Sequence, residues 1–243
     1  MSVYVLSDIH GCDQEFDQML KLIDFTDYDE LYIIGDVCDR GSSPIALYQK
    51  IMKTPNIHLI LGNHEDMFLY HIDTLMEEKR SGDTLTHLSD ISHWLIYNGG
   101  FVTADQFLSL PFSECYDLKT YLEGLPLYQH LEIMGQKYLL VHAGVGARLQ
   151  RGVSVSAFDR DTLLWEHIPL EANPFSDTTM IVGHLPTFTY GEEYDGKMIF
   201  SPKTKTYHID CGCVFGRSLG CLRLDDLQEF YIPSTYPYIR FKR

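Results

Sequence analysis

Five short apolar runs punctuate the chain, and each ends on a polar residue. "SVYVLSD" runs into Asp8, "LYIIGD" into Asp36, "IHLILGN" into Asn63, "KYLLVHAG" into His142 and "TMIVGH" into His184. Runs this short, rich in Val, Ile, Leu and Tyr and bounded by Gly, predict buried β-strands. The first three end markers are spaced about 28 residues apart, the size of one βαβ unit. Between them, 12–25 carries Phe16, Met19, Leu20 and Ile23 at helical spacing. The segment 43–53 predicts a second helix, with Ser43 as N-cap and Pro44 in the first turn. Parallel strands place their C-terminal ends on one sheet edge, where open α/β folds bind ligands. The five polar markers are therefore expected to converge.

Residues 66–136 read as a mainly helical insertion, with one helix ending at Gly99–Gly100. After residue 200 the pattern turns antiparallel. "TYHIDCG", "GCLRLDD" and "EFYIPS" are expected to be adjacent strands. No composition break divides the 243 residues, so a single domain over 1–243 is expected, carrying that insertion.

The polar residues at or beside the strand ends are Asp8, His10, Asp36, Asp39, Arg40, Asn63, His64, His142 and His184. Each alone has a bland reading as a turn, cap or packing residue. Together they form a chemical inventory. Mixed imidazole and carboxylate ligands suit divalent ions, manganese first, with iron or zinc as alternatives. Two neighbouring ions need a bridging ligand, and Asp36, central among the first three strands, offers two oxygens. Asp8 and His10 would complete one ion's protein ligands, and Asn63, His142 and His184 the other's. A hydroxide held between the ions could attack a phosphate ester directly. His64 would protonate the leaving oxygen, Asp39 would orient its ring, and Arg40 would grip phosphate oxygens.

A formal charge of −15 disfavours a nucleic-acid partner, which normally meets a basic surface. Bound cations can still draw phosphates to an acidic protein. No apolar run reaches membrane-spanning length, and "MSVYVLSD" lacks a secretory pattern, so a cytoplasmic location is expected. The six cysteines include no C-x-x-C pair, and Cys211 and Cys213 are read as strand or loop thiols. Oligomeric state is not legible.

The motifs "SDIHG" (7–11), "GDVCDRG" (35–41), "GNHE" (62–65), "VHAG" (141–144) and "VGHLP" (182–186) resemble, in order and spacing, the phosphoprotein phosphatase branch of the calcineurin-like metallophosphoesterases. "WLIYNGGFVTADQF", "LLWEH" and "IDCGCVFG" resemble landmarks of its bacterial and phage members. The resemblance implies an α/β fold of two facing mixed sheets flanked by helices. It also implies a dinuclear metal centre, and it maps the family's site positions onto the nine residues above. Three positions depart from the pattern. Ser7 replaces a Gly, which predicts a turn with less φ freedom. Cys38 stands where an apolar residue is common. His167 stands where many relatives carry a second phosphate-gripping Arg, for which Arg148, Arg151, Arg160 and Arg217 are candidate substitutes.

The leading expectation is a phosphatase for phosphoserine or phosphothreonine in proteins, with phosphotyrosine or small phosphoesters as further substrates. A symmetrical diadenosine polyphosphate hydrolase is the alternative. It would need a pocket for a second nucleotide, and 66–136 shows no clear basic and aromatic combination to build one. A non-catalytic binding module is disfavoured, because no motif residue is missing.

Overall fold

The computed structural model describes residues 1–82, 88–145 and 154–240. Strands β1 (Val3–Leu6), β2 (Glu30–Ile34) and β3 (Ile57–Ile60) are joined by helices α1 (Asp13–Leu22) and α2 (Pro44–Lys53), as the apolar periodicity predicts. Helix α3 (Asn63–Ser81) starts directly after β3. Helices α4 (Leu88–Tyr97), α5 (Phe101–Ser109) and α6 (Phe112–Glu123) follow, and the hairpin β4 (Tyr128–Ile133) and β5 (Gln136–Val141) closes this region. Helix α7 (Arg160–Trp165) and strands β6 (Thr178–Val182), β7 (Ile199–Ser201), β8 (Thr206–His208), β9 (Ser218–Arg223) and β10 (Gln228–Pro233) complete the chain. Ser43 does occupy the N-cap of α2, but its hydroxyl makes no cap hydrogen bond.

The strands form two mixed five-stranded sheets, in the orders β10-β9-β1-β2-β3 and β4-β5-β6-β8-β7. β1, β2 and β3 run parallel, as do β5, β6 and β8. The sheets face each other across Val3, Val5, Ile34, Leu140, Ile181 and Leu222. A larger cluster packs α1 to α6 against the outer face of the first sheet. A third, around Leu139, Met180 and Leu163, covers the outer face of the second. Three apolar layers explain why the parallel strands read as continuous hydrophobic runs: each is buried on both faces.

The expectation of three adjacent strands after residue 200 is corrected. β8 joins the second sheet between β6 and β7, whereas β9 and β10 extend the first sheet beside β1. The tight turn at 210–217, with Gly212 and Gly216 both left-handed, carries the chain from one sheet to the other. Alternating patterns cannot tell these pairings apart, because a β-rich segment satisfies either sheet.

Each strand end named in the sequence lies at the C-terminal edge of a parallel strand, and both sheets contribute. His208 marks the interior of the second sheet. It is fully buried against the Tyr190 ring, and burial pushes its pKa down to about 4. With an unfolded pKa near ~6.5, its neutral ring supports the fold above that pH. The support is lost as pH falls towards 4. By linkage the loss at pH 5 is about 2 kcal/mol. Urea unfolding at pH 8 and pH 5 should show this loss, and His208→Gln should shrink it; an identical loss in the variant would exclude His208 as the cause.

Candidate metal centre

The backbone at the site is locally unusual. Asp8, His10, Asp36, Asp39, Arg40 and His184 all have φ between 45 and 68°. Non-glycine residues rarely take this left-handed conformation, and such strain concentrates where geometry serves function. Ser7 is not among them, so the glycine it replaces is not needed there for φ freedom. Its hydroxyl is buried against Gly183.

Glu65 organises these loops, and the sequence reading gave it no role. Its side chain is fully buried. One oxygen accepts from the amides of Asp36 (2.7 Å) and Gly62 (3.0 Å). The other accepts from the amides of Val37 (2.8 Å) and Cys38 (3.3 Å) and from the Tyr48 hydroxyl (2.8 Å). The carboxylate thereby fastens the loop after β2 to the first turn of α3. Gly62 is required by this packing, since a Cβ there would run into the Asp36 and Glu65 carboxylates.

Asp36 sits between two groups of side chains. Its Oδ2 lies 3.5 Å from His10 Nε2 and 3.9 Å from His64 Nε2. Its Oδ1 lies 3.4 Å from His142 Nε2. Two sets of potential ligand atoms, His10–Asp36–His64 and Asp36–His142–His184, each gather within 4.8 Å. Asn63 Oδ1 adds to the second set, 2.8 Å from His142 Nε2 and 3.0 Å from His184 Nδ1. Asp8 belongs to neither knot. Its oxygens accept from the His184 amide at 3.0 and 3.2 Å, while its charge acts on Asp36.

The hydrogen bonds fix the ring tautomers. His10 Nδ1 and His142 Nδ1 each lie 2.8 Å from a backbone carbonyl, of Cys38 and Ile34 respectively. A carbonyl only accepts, so Nδ1 carries the proton and Nε2 keeps its lone pair. Burial drives His10 well below the ordinary histidine range, helped by Arg40, and sets His142 near 4 and His184 near 2. The imidazoles are therefore neutral donors. Burial also lifts the carboxyls of Asp8 and Asp36 well above the usual range, with Asp210 adding to the first and Asp8 to the second. Around Asn63 Oδ1 the structure thus assembles lone pairs facing lone pairs, and His184 Nε2 is buried without a partner. Such a set fits divalent cations, whose charge would stabilise the carboxylates and satisfy the nitrogens.

His64 stands in the first turn of α3, its Nδ1 2.7 Å from Asp39 Oδ2. Asp39 is completely buried, and burial raises its pKa to about 6. The helical segment after α3 supplies its other partners, Trp94 Nε1 (2.8 Å) and the Thr103 hydroxyl (2.6 Å). Gly100 packs so closely on the Trp94 indole that any side chain would collide. These contacts give "WLIYNGGFVTADQF" a physical meaning that the sequence reading lacked: it is a socket for Asp39. The Arg40 guanidinium reaches back over both halves of the site, donating to His10 Nε2 (2.7 Å) and His64 Nε2 (2.9 Å).

The remaining candidates are placed as follows. Arg160 pairs with Asp66 on the surface, and Arg217 is tied to Asp195 and the Phe215 carbonyl. Arg148 and Arg151 lie outside the described residues. His167 is exposed at the rim, its ring 5.2 Å from that of His184. Trp165 is 41% exposed there as well, its ring 6.3 Å from that of His184. Cys211 and Cys213 are buried free thiols, but Cys213 meets Cys12 and Glu15, a proximity the sequence did not suggest. Asp210, unnoticed in "IDCGC", lies buried near Asp8 with its pKa raised by burial to about 6.

Residues 1–216 match the family model for calcineurin-like phosphoesterases. The chain belongs to this family. The family uses a dinuclear metal centre, and the sets around Asp36 are where this chain could hold one. The symmetrical bis(5'-nucleosyl)-tetraphosphatase of Nitrosomonas europaea is 23% identical, over 97% of this chain and 99% of its own length. The asymmetrical bis(5'-nucleosyl)-tetraphosphatase PrpE of a Geobacillus strain, WCH70, is also 23% identical, over 98% of this chain and 97% of its own. Among solved structures, a protein serine/threonine phosphatase of Saccharomyces cerevisiae with similarity to human phosphatase PP5 shares the fold. Its TM-score is 0.58 at 17% identity, over all of this chain and 82% of that one.

Glu65→Gln would turn an amide NH2 towards backbone donors that now meet a carboxylate oxygen. Each buried donor left unmatched costs ~1–3 kcal/mol, so urea unfolding should show a loss of about 3 kcal/mol or more. Wild-type stability in Glu65→Gln would refute the organising role.

Proposed function

We propose that this chain is a metal-dependent hydrolase of dinucleoside polyphosphates. The observation that carries the reading is the end-to-end match to relatives named bis(5'-nucleosyl)-tetraphosphatases, joined to the two donor sets that meet at Asp36. It takes precedence over the phosphoprotein reading, for which the likeness in fold alone speaks.

In this reading Asp8, His10 and Asp36 would hold one divalent ion, and Asp36, Asn63, His142 and His184 would hold a second. Manganese is the first choice. When bound, the ions supply Lewis acidity, neutralising phosphate charge and activating water as the nucleophile. The chain's own residues do the rest. The Arg40 fork exchanges its bonds to the two imidazoles for bonds to phosphate oxygens, the geometry that suits a guanidinium. Once Arg40 has turned to the phosphate, His64 in its imidazolium form gives the Nε2 proton to the departing oxygen as the P–O bond breaks, and regains one from the attacking water. Asp39, locked by Trp94 and Thr103, holds the ring in place and stabilises its protonated form. Glu65 keeps Asp36 and α3 in register so that both halves of the site face one phosphate.

Six buried free thiols suit a reducing compartment, and no helix among the described residues is long and apolar enough to cross a membrane. A cytoplasmic setting belongs to this proposal.

Manganese-loaded enzyme should hydrolyse diadenosine tetraphosphate with a higher kcat/KM than a phosphoserine peptide. A reversed order would favour the phosphoprotein reading. Asp36→Ala and His64→Ala should each lower kcat at least 100-fold, in line with the size of acid–base contributions. Wild-type turnover in both would remove these residues from the site.

A further inference from the structure

A cavity of about 850 Å³ opens beside the metal centre. It is built from segments 186–195 and 215–217 and the C-terminal tail, not from the helical insertion where the sequence reading looked for a second-nucleotide pocket. Its size falls within the range of small-molecule sites. Two links tie it to the chemistry. Phe215 lines it, and the Arg40 guanidinium lies 5.3 Å from the Phe215 ring centre. Pro186, on its wall, stands two residues after His184. A phosphate gripped by Arg40 is thus one aromatic ring away from the cavity.

The lining has a particular chemistry. Phe188, Phe215 and Tyr238 supply flat apolar surface. The Arg217 guanidinium is stacked between Phe188 (4.0 Å) and Tyr238 (4.3 Å). Asp195 fixes this layer, accepting from Arg217 Nε and from the Tyr238 hydroxyl, both at 2.9 Å. Glu192 adds an exposed carboxylate at the edge, and Arg240 an exposed cation. In a chain of net charge −15, the exposed Arg240 lines the cavity and Arg40 lies on the far side of the Phe215 ring. Aromatic faces beside a guanidinium plane suit a nucleobase, and cations at the mouth suit the polyphosphate that leads to it.

We infer that this cavity is the nucleoside subsite, taking one base of the dinucleotide while Arg40 engages the phosphates. The inference rests on the hydrolase reading above. The Glu192 carboxylate accepts a hydrogen bond from the exocyclic amino group of the base, so the site favours adenosine over inosine. Tyr238 provides stacking area through its ring rather than its hydroxyl.

The test compares kcat/KM for diadenosine tetraphosphate, diinosine tetraphosphate and inorganic tripolyphosphate with manganese-loaded wild type, Tyr238→Ala, Tyr238→Phe and Glu192→Gln. Tyr238 is 59% exposed, so its replacement leaves the core intact. Tyr238→Ala should lower the ratio of diadenosine tetraphosphate to tripolyphosphate at least tenfold, and Tyr238→Phe should restore it. Glu192→Gln should lower the adenosine-to-inosine preference at least threefold. Wild-type turnover of the dinucleotide with both ratios unchanged in the variants overturns the subsite alone. Wild-type turnover of tripolyphosphate without any of the dinucleotide overturns the hydrolase reading and the subsite together.

Discussion

The fully buried carboxylate of Glu65 is the constraint on which the site depends. It holds the amides of Asp36, Val37, Cys38 and Gly62 and the Tyr48 hydroxyl at once. A charge out of water is costly unless hydrogen bonds replace its hydration. Here five donors do so, and each belongs to an element that must be placed accurately. The loop after β2 carries Asp36, Asp39 and Arg40, and the start of α3 carries Asn63 and His64. One buried anion thereby sets the distance between the two sets of atoms that meet at Asp36. The same interaction makes stability and site geometry hard to separate.

A second constraint is electrostatic. Two buried aspartates with raised pKa values stand among imidazoles kept neutral by burial. The arrangement is unfavourable as a set of isolated groups and favourable around cations. Arg40 is the chain's own positive charge at this point, and it bonds to a histidine on each side of its fork. An overall acidic protein can thus hold a phosphate-binding centre, because the local charge is set by a guanidinium and by bound ions rather than by the surface average.

The helical region between β3 and β4 serves that centre from behind. Trp94 and Thr103 complete the hydrogen bonds of Asp39, and the Gly99 carbonyl accepts from the Arg40 amide at 2.9 Å. The orientation of His64 is therefore decided by residues some 30 to 40 positions further along the chain. On another side, the cavity next to Phe215 owes two of its lining residues, Phe215 and Arg217, to the turn that takes the chain back from the second sheet to the first. Both features arise where the two sheets and their connections close around the parallel strand ends.

The sequence by itself determined the parallel strands and the polar residues at their ends, nine of which meet. Doubly buried strands must be continuous apolar runs; that the polar ends come from two sheets rather than one edge was decided by the tertiary structure. It also determined α1, α2 and the end of α4 at Tyr97, through periodicity and the Gly99–Gly100 signal. Only the tertiary structure decided that β8 and β9 lie in different sheets, because alternation is indifferent to partner. It alone revealed Glu65, Trp94 and Thr103 as supports of the site, and Asp210 as a buried carboxyl acting on Asp8. Their roles come from long-range contacts that leave no local period in the chain. Tertiary structure also decided that Ser7 is harmless to the turn, since the left-handed backbone falls on Asp8, His10 and Gly11 instead. Residue type and spacing can name the groups that meet at such a site; the buried hydrogen bonds between distant segments decide how they face one another.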